Sequence, residues 1–432
     1  MRTYREYKES GHQLIGLVPE HWGVIPNGGF FRVKSIKNTE DEQNLSVYRD
    51  YGVIRRDSRD DNHNRVSEDI SNYKLVEVGD FVLNKMKCWM GSLGVSEYRG
   101  IVSPSYTVCE PIREIHRKYF HYLLRSRNYI QIYDSLSYGV RIGQWELRFH
   151  DFKKIKSLYP PLSEQKQISD YLDRKTQQID DLIEKTERKI ELLKEQRSSL
   201  INQCVTKGLD PNVEMKDSGV EWIGEIPKEW RKIKVSYFCD VRDGTHDTPT
   251  YVDEGGVPLV TQKDLVSGKL EFSKTNNISF DDYEDINRRS NVVKNDILMS
   301  MIGSLGNPVI VDTDREFSIK NVCLFKTSLI DQNITYFLYF LRSDFMETQL
   351  VYMSRGGVQG FVSLDVLRNL IFFLPPLSEQ KQISHYLDHE TSKIDQMVDT
   401  ETKRIDLLKE YRQSLISNVV TGKIDVRDEV VQ

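Results

Sequence analysis

The 432-residue sequence contains no alanine, although alanine is among the commonest residues in proteins. Nothing in the physical chemistry of the chain accounts for that absence. Its other absences are more informative. Cysteine is sparse: Cys88, Cys109, Cys204, Cys239 and Cys323 are odd in number and scattered, and no C-x-x-C pair occurs, which argues against a disulfide scaffold or a zinc ribbon. Long apolar runs are missing, since a stretch such as Leu370–Leu374 is closed at once by two prolines, far short of the ~18 residues a membrane span needs. The opening "MRTYREYKES" has no apolar stretch behind its charges, so no signal peptide is expected and the cytoplasm is the default compartment. The chain also lacks a G-x-x-x-x-G-K-[ST] phosphate loop, a G-x-G-x-x-G fingerprint and an H-E-x-x-H zinc helix. His385 and His389 have the spacing of a metal pair, but Asp170 and Arg174 stand at the matching places, so no metal site is expected.

What is present is a repeat. "PPLSEQKQIS" begins at Pro160 and again at Pro375, and "YKESGHQLIGLVPEHW" (Tyr7 to Trp22) matches "MKDSGVEWIGEIPKEW" (Met215 to Trp230) without a gap. Two copies of one architectural unit were joined. The repeat divides the chain into a first globular domain over 1–159, a helix and linker over 160–211, a second globular domain over 212–374, and a second helix with a C-terminal tail over 375–432. The globular parts are rich in Tyr, Phe, Val and Ile, punctuated by Gly, Asn, Asp and Pro, which predicts α/β (α+β) domains with many short strands. With 38% hydrophobic residues there is apolar material enough for real cores.

After each "PPL" the pattern changes. Ser163 and Ser378 stand where an N-cap is expected, and no Pro or Gly interrupts before Gly208 or Gly422. About 44 helical residues make a rod of roughly 66 Å. Ile168, Leu172, Ile179, Leu182, Leu193 and Leu200, with Ile383, Leu387, Ile394, Met397, Leu408 and Leu415 at the matching places, recur at spacings of three, four and seven, the signature of one apolar seam. Each rod needs a partner, and the other copy is already tethered. If the second domain sits at the far end, the rods pair as an antiparallel coiled coil with pseudo-twofold symmetry, a shape suited to double-stranded DNA with two related half-sites.

The chain resembles the specificity subunits of type I restriction-modification systems. The resemblance rests on the doubled "PPLSEQKQI", the "SGxxWIGxIPxxW" pattern at Gly219 to Trp230 with a looser copy at Gly11 to Trp22, and "GGVQGFVSLDVLRNL" at Gly356 to Leu370. It implies that the globular parts are target recognition domains, that the rods are spacers, and that the chain is not itself a catalyst. It further implies double-stranded DNA, two methyltransferase subunits and two restriction or translocase subunits as partners, with no membrane involvement, in a bacterial or archaeal cytoplasm. S-adenosylmethionine, ATP and Mg2+ are expected on the partner subunits, and no cofactor on this chain. The absence of Asn-Pro-Pro-aromatic or Asp-Pro-Pro-Tyr tetrapeptides, which amino-methyltransferases use to hold the target amine, agrees with this. A fused specificity subunit of a related bipartite-site restriction system, or a coiled-coil protein-binding scaffold, fits the same pattern.

Residues that read or grip DNA are expected in the stretches where the copies diverge, because two half-sites usually differ. In the first domain these are Arg55, Arg56, Arg59, Asn62, Asn64 and Arg65; in the second they are Arg242, Thr245, His246 and Thr248 with Thr261, Gln262 and Lys263. The alternative for both is a solvated loop. "GSLG" recurs at Gly91 and Gly303; its glycines would let the backbone approach a phosphate, with Lys85, Lys87, Ser92 and Ser304 nearby, or it is a plain hairpin turn. Arg141, Gln144, Arg355 and Gln359 occupy a further repeated turn. Arg suits guanine and Gln adenine, but recurrence in both copies points to fold support or backbone contact. Charge is uneven: residues 1–159 carry 25 basic against 20 acidic residues, and residues 212–374 carry 18 against 24. Because phosphate neutralisation dominates affinity for DNA, the second domain is expected to need clustered cations or partner subunits.

Overall fold

The computed structural model describes residues 2–37, 42–49, 51–59, 69–139, 145–266, 268–301, 306–328, 330–353 and 362–429. The chain divides into two compact units, one of residues 1–187 with 403–432 and one of residues 188–402. Each boundary falls inside a long helix, Leu162–Lys207 or Leu377–Val420. A unit is therefore one globular head with a half of each long helix.

Both heads are built on the same antiparallel four-stranded sheet. In the first its order is Phe31–Lys34, Tyr106–Pro111, Phe81–Asn84, Leu93–Val95, and in the second Asp240–Asp243, Val322–Lys326, Ile297–Ser300, Gly306–Ile310. The central strands read as nearly continuous apolar runs because both faces are covered. Side chains alternate between the faces: Phe81, Leu83 and Cys109 enter the main core of the first head, whereas Val82 and Val108 enter a smaller one. In the second head Ile297, Met299, Cys323 and Phe325 face the main core, and Leu298, Val322 and Leu324 the smaller one. The main core holds a helix pair, Arg117–Leu124 with Arg127–Leu136 or Ile334–Leu341 with Asp344–Met353, together with the long helices. The smaller core is formed by the chain inserted between the first and second sheet strands in sequence together with the short segment between the third and fourth, and there the copies part. The first insert holds a hairpin, Leu45–Tyr48 with Gly52–Arg55, and the strand Lys74–Val76, which pairs with Gly100–Val102 from between the third and fourth strands. The second insert holds a helix, Phe280–Arg289, and the strand Val257–Val260, which joins a mixed sheet by pairing in parallel with Ser318–Ile319 from between the third and fourth strands.

The long helices run antiparallel within each unit. In the first, Asp180 meets Arg412 at 2.8 Å; in the second, Lys189 meets Glu401, Arg197 meets Asp395 at 2.9 Å, and Gly208 abuts Glu379. The residue numbers rise on one helix as they fall on the other. Of the expected seam, Ile168, Leu172, Ile179, Leu193, Ile383, Leu387, Ile394 and Leu415 are buried, and Leu182, Leu200 and Leu408 are half-buried. Met397 is not part of it, being 44% exposed. Near the middle of each helix the seam turns polar: Thr186 and Glu401 are buried there. The Thr186 hydroxyl donates to the Leu182 carbonyl at 2.7 Å, which satisfies it without a partner helix.

The duplicated decapeptide is the joint between head and helix. Each helix starts at Leu162 or Leu377, so Ser163 and Ser378 lie inside the first turn and the prolines before the leucines take the cap position, where a missing N–H costs nothing. Gln165 and Gln380, both fully buried, accept from the backbone of His116 (2.9 Å) and Asn333 (3.1 Å) and donate to the carbonyls of Pro160 and Pro375, each at 2.8 Å. Glu164 accepts from Tyr4 Oη at 2.5 Å and Trp22 Nε1 at 3.0 Å, and His21 Nε2 lies 2.8 Å away; Glu379 accepts from Trp230 Nε1 at 2.9 Å. The two repeated motifs, apart in sequence, bind each other within each unit.

Candidate nucleic-acid interface

The described candidates from the divergent stretches lie on the inserts, which cover the sheet face opposite the helix pair, apart from Arg242, which is in the strand Asp240–Asp243. In the first head the turn of the hairpin is fixed by a left-handed glycine, Gly52 (φ +74°), where an added Cβ would stand 2.7 Å from the His121 ring. The arginines that follow are pinned by aromatic faces. The Arg55 guanidinium lies 5.2 Å over Tyr98, and that of Arg59 lies 4.8 Å over Tyr51 and 5.8 Å over Tyr48, contacts that orient a cation without neutralising it. Arg55 is exposed, and Arg56 and Arg59 are half-buried.

Lys85 and Lys87 follow the strand Phe81–Asn84. Lys87 is exposed and Lys85 half-buried. Lys74 Nζ donates to the carbonyls of Pro104 at 3.1 Å and Tyr106 at 2.6 Å, and desolvation and the charge of Lys85 lower its pKa. The glycine-rich tetrapeptide at 91–94 is not an open cradle: residues 91–96 are all buried and Ser92 is 4% exposed. Gly91 (φ +93°) closes a turn and Gly94 packs on His121. This is the plain turn of the two alternatives, and burial removes the Ser92 hydroxyl from the surface.

In the second head the divergent loop is built rather than loose. Gly244 passes so close to Ile319 that an added Cβ would overlap its carbonyl. Thr245 N–H donates to the Ile319 carbonyl at 3.0 Å, and Asn321 N–H to the Thr245 carbonyl at 3.1 Å. His246 Nδ1 lies 2.8 Å from Asn321 Oδ1 and Nε2 2.9 Å from Asp243 Oδ2; hydrogen bonding to Asn321 and Asp243 raises its pKa, so the ring keeps its proton to higher pH than an ordinary histidine. Arg242 is engaged by Asp240 at 2.7 Å and by the carbonyls at the end of the helix Phe280–Arg289. Thr261 caps a short helical turn, its hydroxyl donating to Asp264 at 2.9 Å.

Thr248, Gln262 and Lys263 are exposed. Lys320 Nζ donates to Thr248 at 3.2 Å, and Gln262 Oε1 accepts from Ser300 at 3.2 Å. The second head thus assembles cations beside the loop: Lys320 and Arg289, which donates to the Gly244 carbonyl. Sequence reading missed Lys74, Arg289 and Lys320, because each is separated in sequence from the residues it adjoins. The candidates Asn62, Asn64, Arg65, Arg141, Gln144, Ser304, Arg355 and Gln359 lie outside the described residues.

All five cysteines are free and buried. Among the described residues no group of His, Cys, Asp or Glu has the arrangement of a metal site, and no helix is long and apolar enough to cross a membrane.

Comparison with known proteins gives a consistent result. The model of the type I restriction modification DNA specificity domain matches the chain twice, at residues 19–192 and 227–410. The type I restriction enzyme MjaVIII specificity subunit of Methanocaldococcus jannaschii is 26% identical over 447 residues, covering 99% of this chain and 98% of the relative. Two solved structures share the fold. One comes from work on complex assembly and conformational transition of the type I R-M system, with a TM-score of 0.67 and 16% identity over 94% of this chain and 99% of its own. The other is the HsdS subunit from Thermoanaerobacter tengcongensis, with a TM-score of 0.53 and 17% identity over 96% and 100%.

Proposed function

The chain belongs to the family of type I restriction-modification DNA specificity subunits and carries two specificity domains; from that premise we propose that each head reads one half of a bipartite DNA target through its insert. The observation that carries this reading is that the heads share the sheet, its order and the helix pair, and differ in the chain inserted between the first two strands. A common scaffold with unlike inserts is what two unlike half-sites require. In the first head Arg55, Arg56 and Arg59 meet the duplex, with Lys74, Lys85 and Lys87 on its phosphates. In the second, Thr248, Gln262 and Lys263 face the bases, while Arg289 and Lys320 offset the acidity of that domain.

The chain does no chemistry in this reading. Two methyltransferase subunits bring S-adenosylmethionine, and two restriction subunits bring the ATP- and Mg2+-dependent steps. The test is selection from duplexes randomised in both halves, with the methyltransferase partner present, before and after one head is replaced by that of another family member. One half of the selected sequence should change. A change in both halves together, or no selected sequence at all, would refute the two-reader account. The isolated chain should bind weakly and lose affinity steeply with salt.

A further inference from the structure

We propose that the first unit holds a cationic cleft that takes an acidic, partly apolar segment of a protein partner, whose counterpart within the second unit is a small depression without that excess of cations. The cleft has a volume of about 1140 Å3 and lies between the two short helices of the first head, the hairpin turn at Arg49 and Tyr51, and residues Glu410 to Ile416 of the second long helix. Six cations line it: Arg49, Arg117, Lys118, Arg125, Arg127 and Arg412. Lys118 is paired with Asp173 at 2.6 Å and Arg412 with Asp180 at 2.8 Å. Arg125 donates to His121 Nε2 at 2.6 Å and to the Arg49 carbonyl at 2.6 Å. Burial and the Arg125 charge hold His121 down to about 3, so its ring stays neutral and serves as the acceptor that aims this guanidinium. Arg117 and Arg127 are exposed and have no carboxylate partner among the described residues. Beside them stand Tyr51, Val78 and Met90, each more than a third exposed.

The second unit supplies the contrast. Its helix pair carries "YFLYFLRSD" where the first carries "YFHYLLRSR", so Asp344 occupies the place of Arg127. Asp344 accepts from Ser198 Oγ and Asn202 Nδ2 of the first long helix, both at 2.6 Å, and so ties the short helix down. Ile334 and Thr335 replace Arg117 and Lys118. What remains is a depression of about 360 Å3 in which Asp388, Asp395 and Asp399 offset Arg197 and Arg342. Three positions, Arg117, Lys118 and Arg127 in one copy against Ile334, Thr335 and Asp344 in the other, separate a wide cationic cleft from a small depression that acids offset.

The occupant follows from the lining. A duplex is far wider than the cleft, and a phosphate chain has nothing to place against Tyr51, Val78 and Met90. Glu97 and Glu410 on the lining repel a continuous polyanion but can be avoided by a segment whose carboxylates are spaced. An acidic helix or strand with interleaved apolar side chains meets both demands, and it binds one head only. The inference does not depend on which residues read DNA.

The test uses the full chain and a short synthetic peptide of glutamate and leucine, with fluorescence anisotropy at low ionic strength. The same peptide with glutamine for glutamate, and a thymidine oligonucleotide of equal length, are the comparators. The acidic peptide should bind the wild type, weaken with salt, and lose about tenfold or more in affinity in Arg127→Asp and Arg117→Glu, while Arg127→Lys holds it. Asp344→Arg combined with Ile334→Arg and Thr335→Lys should create a second site and raise the stoichiometry. The proposal is overturned if the glutamine peptide binds equally well, if neither arginine matters in a variant that melts like the wild type, or if the oligonucleotide binds more tightly with the same dependence on Arg127, which would assign the cleft to nucleic acid.

Discussion

Replacing Glu164 by alanine should destabilise the first unit more than replacing Glu379 destabilises the second, although both sit in the same decapeptide. Glu164 is 3% exposed and receives the hydroxyl of Tyr4 and the indole N–H of Trp22, residues that are 5% and 0% exposed. Removing the carboxylate leaves two buried donors without an acceptor, each costing about 1–3 kcal/mol, so roughly 2–6 kcal/mol in all. His21 contributes little to the difference, because its side chain is 42% exposed and can turn to water. Glu379 receives one buried donor, Trp230 Nε1, and its loss should cost about half as much, about 1–3 kcal/mol. The two units need not unfold together, so the assay is hydrogen exchange read by mass spectrometry, which resolves local opening energies in each head. Glu164→Gln, which keeps an acceptor oxygen and the shape, should recover at least half of the loss. Equal costs in the two units, or a larger cost for Glu379→Ala, would refute the account of the joint.

Other expectations follow from single features. Gly422→Ala should destabilise the first unit by roughly 2–4 kcal/mol by thermal melting, because its φ is +72° and the new Cβ would lie 2.3 Å from Pro19 Cδ; Gly16→Ala, with a similar φ but open space, should cost only the backbone term of about 1 kcal/mol. The fully buried Lys326–Asp296 pair, 2.7 Å apart, predicts that Lys326→Met costs about 3–5 kcal/mol, measured by urea denaturation. The two heads should respond oppositely to acid. The pKa of His121 falls on folding, from 6.5 to about 3, so its contribution is complete above pH 6.5 and drains away as the pH falls toward 3. That of His246 rises above 6.5 on folding, so its contribution is present below pH 6.5 and is lost as the pH climbs through the raised value. Stability profiles of His121→Leu and His246→Phe against the wild type should show these opposite slopes. The chain ends meet, with Asp425 N–H donating to the Arg2 carbonyl at 3.0 Å and Arg427 stacked 4.7 Å over Tyr4, so joining them and opening the linker near Pro211 should leave both units folded by circular dichroism and hydrogen exchange.

The duplication, the two long helices and most of the seam were legible because each is a local or periodic property: a repeated string, a stretch without Pro or Gly, apolar residues three and four apart. The partnership of the repeated motifs was not legible as contact, since Trp22 and Glu164 are 142 positions apart and only folding brings an indole to a carboxylate. Met397 shows the limit of periodicity, for it keeps the spacing of the seam yet lies 44% exposed; which face of a helix is covered depends on its neighbours. Ser92 failed in the same way, as a polar residue in a glycine-rich turn that the surrounding strands happen to enclose.

Local sequence, then, determined the elements, their repetition and the family to which the chain belongs, because hydrogen-bonded periodicity and turn chemistry act over a few residues. Tertiary structure alone decided that one face of each sheet belongs to the helices and the other to the insert, and that Arg127 lines an open cleft where Asp344 ties its short helix to the first long helix. Those outcomes rest on contacts between distant segments, whose geometry no short stretch of sequence contains.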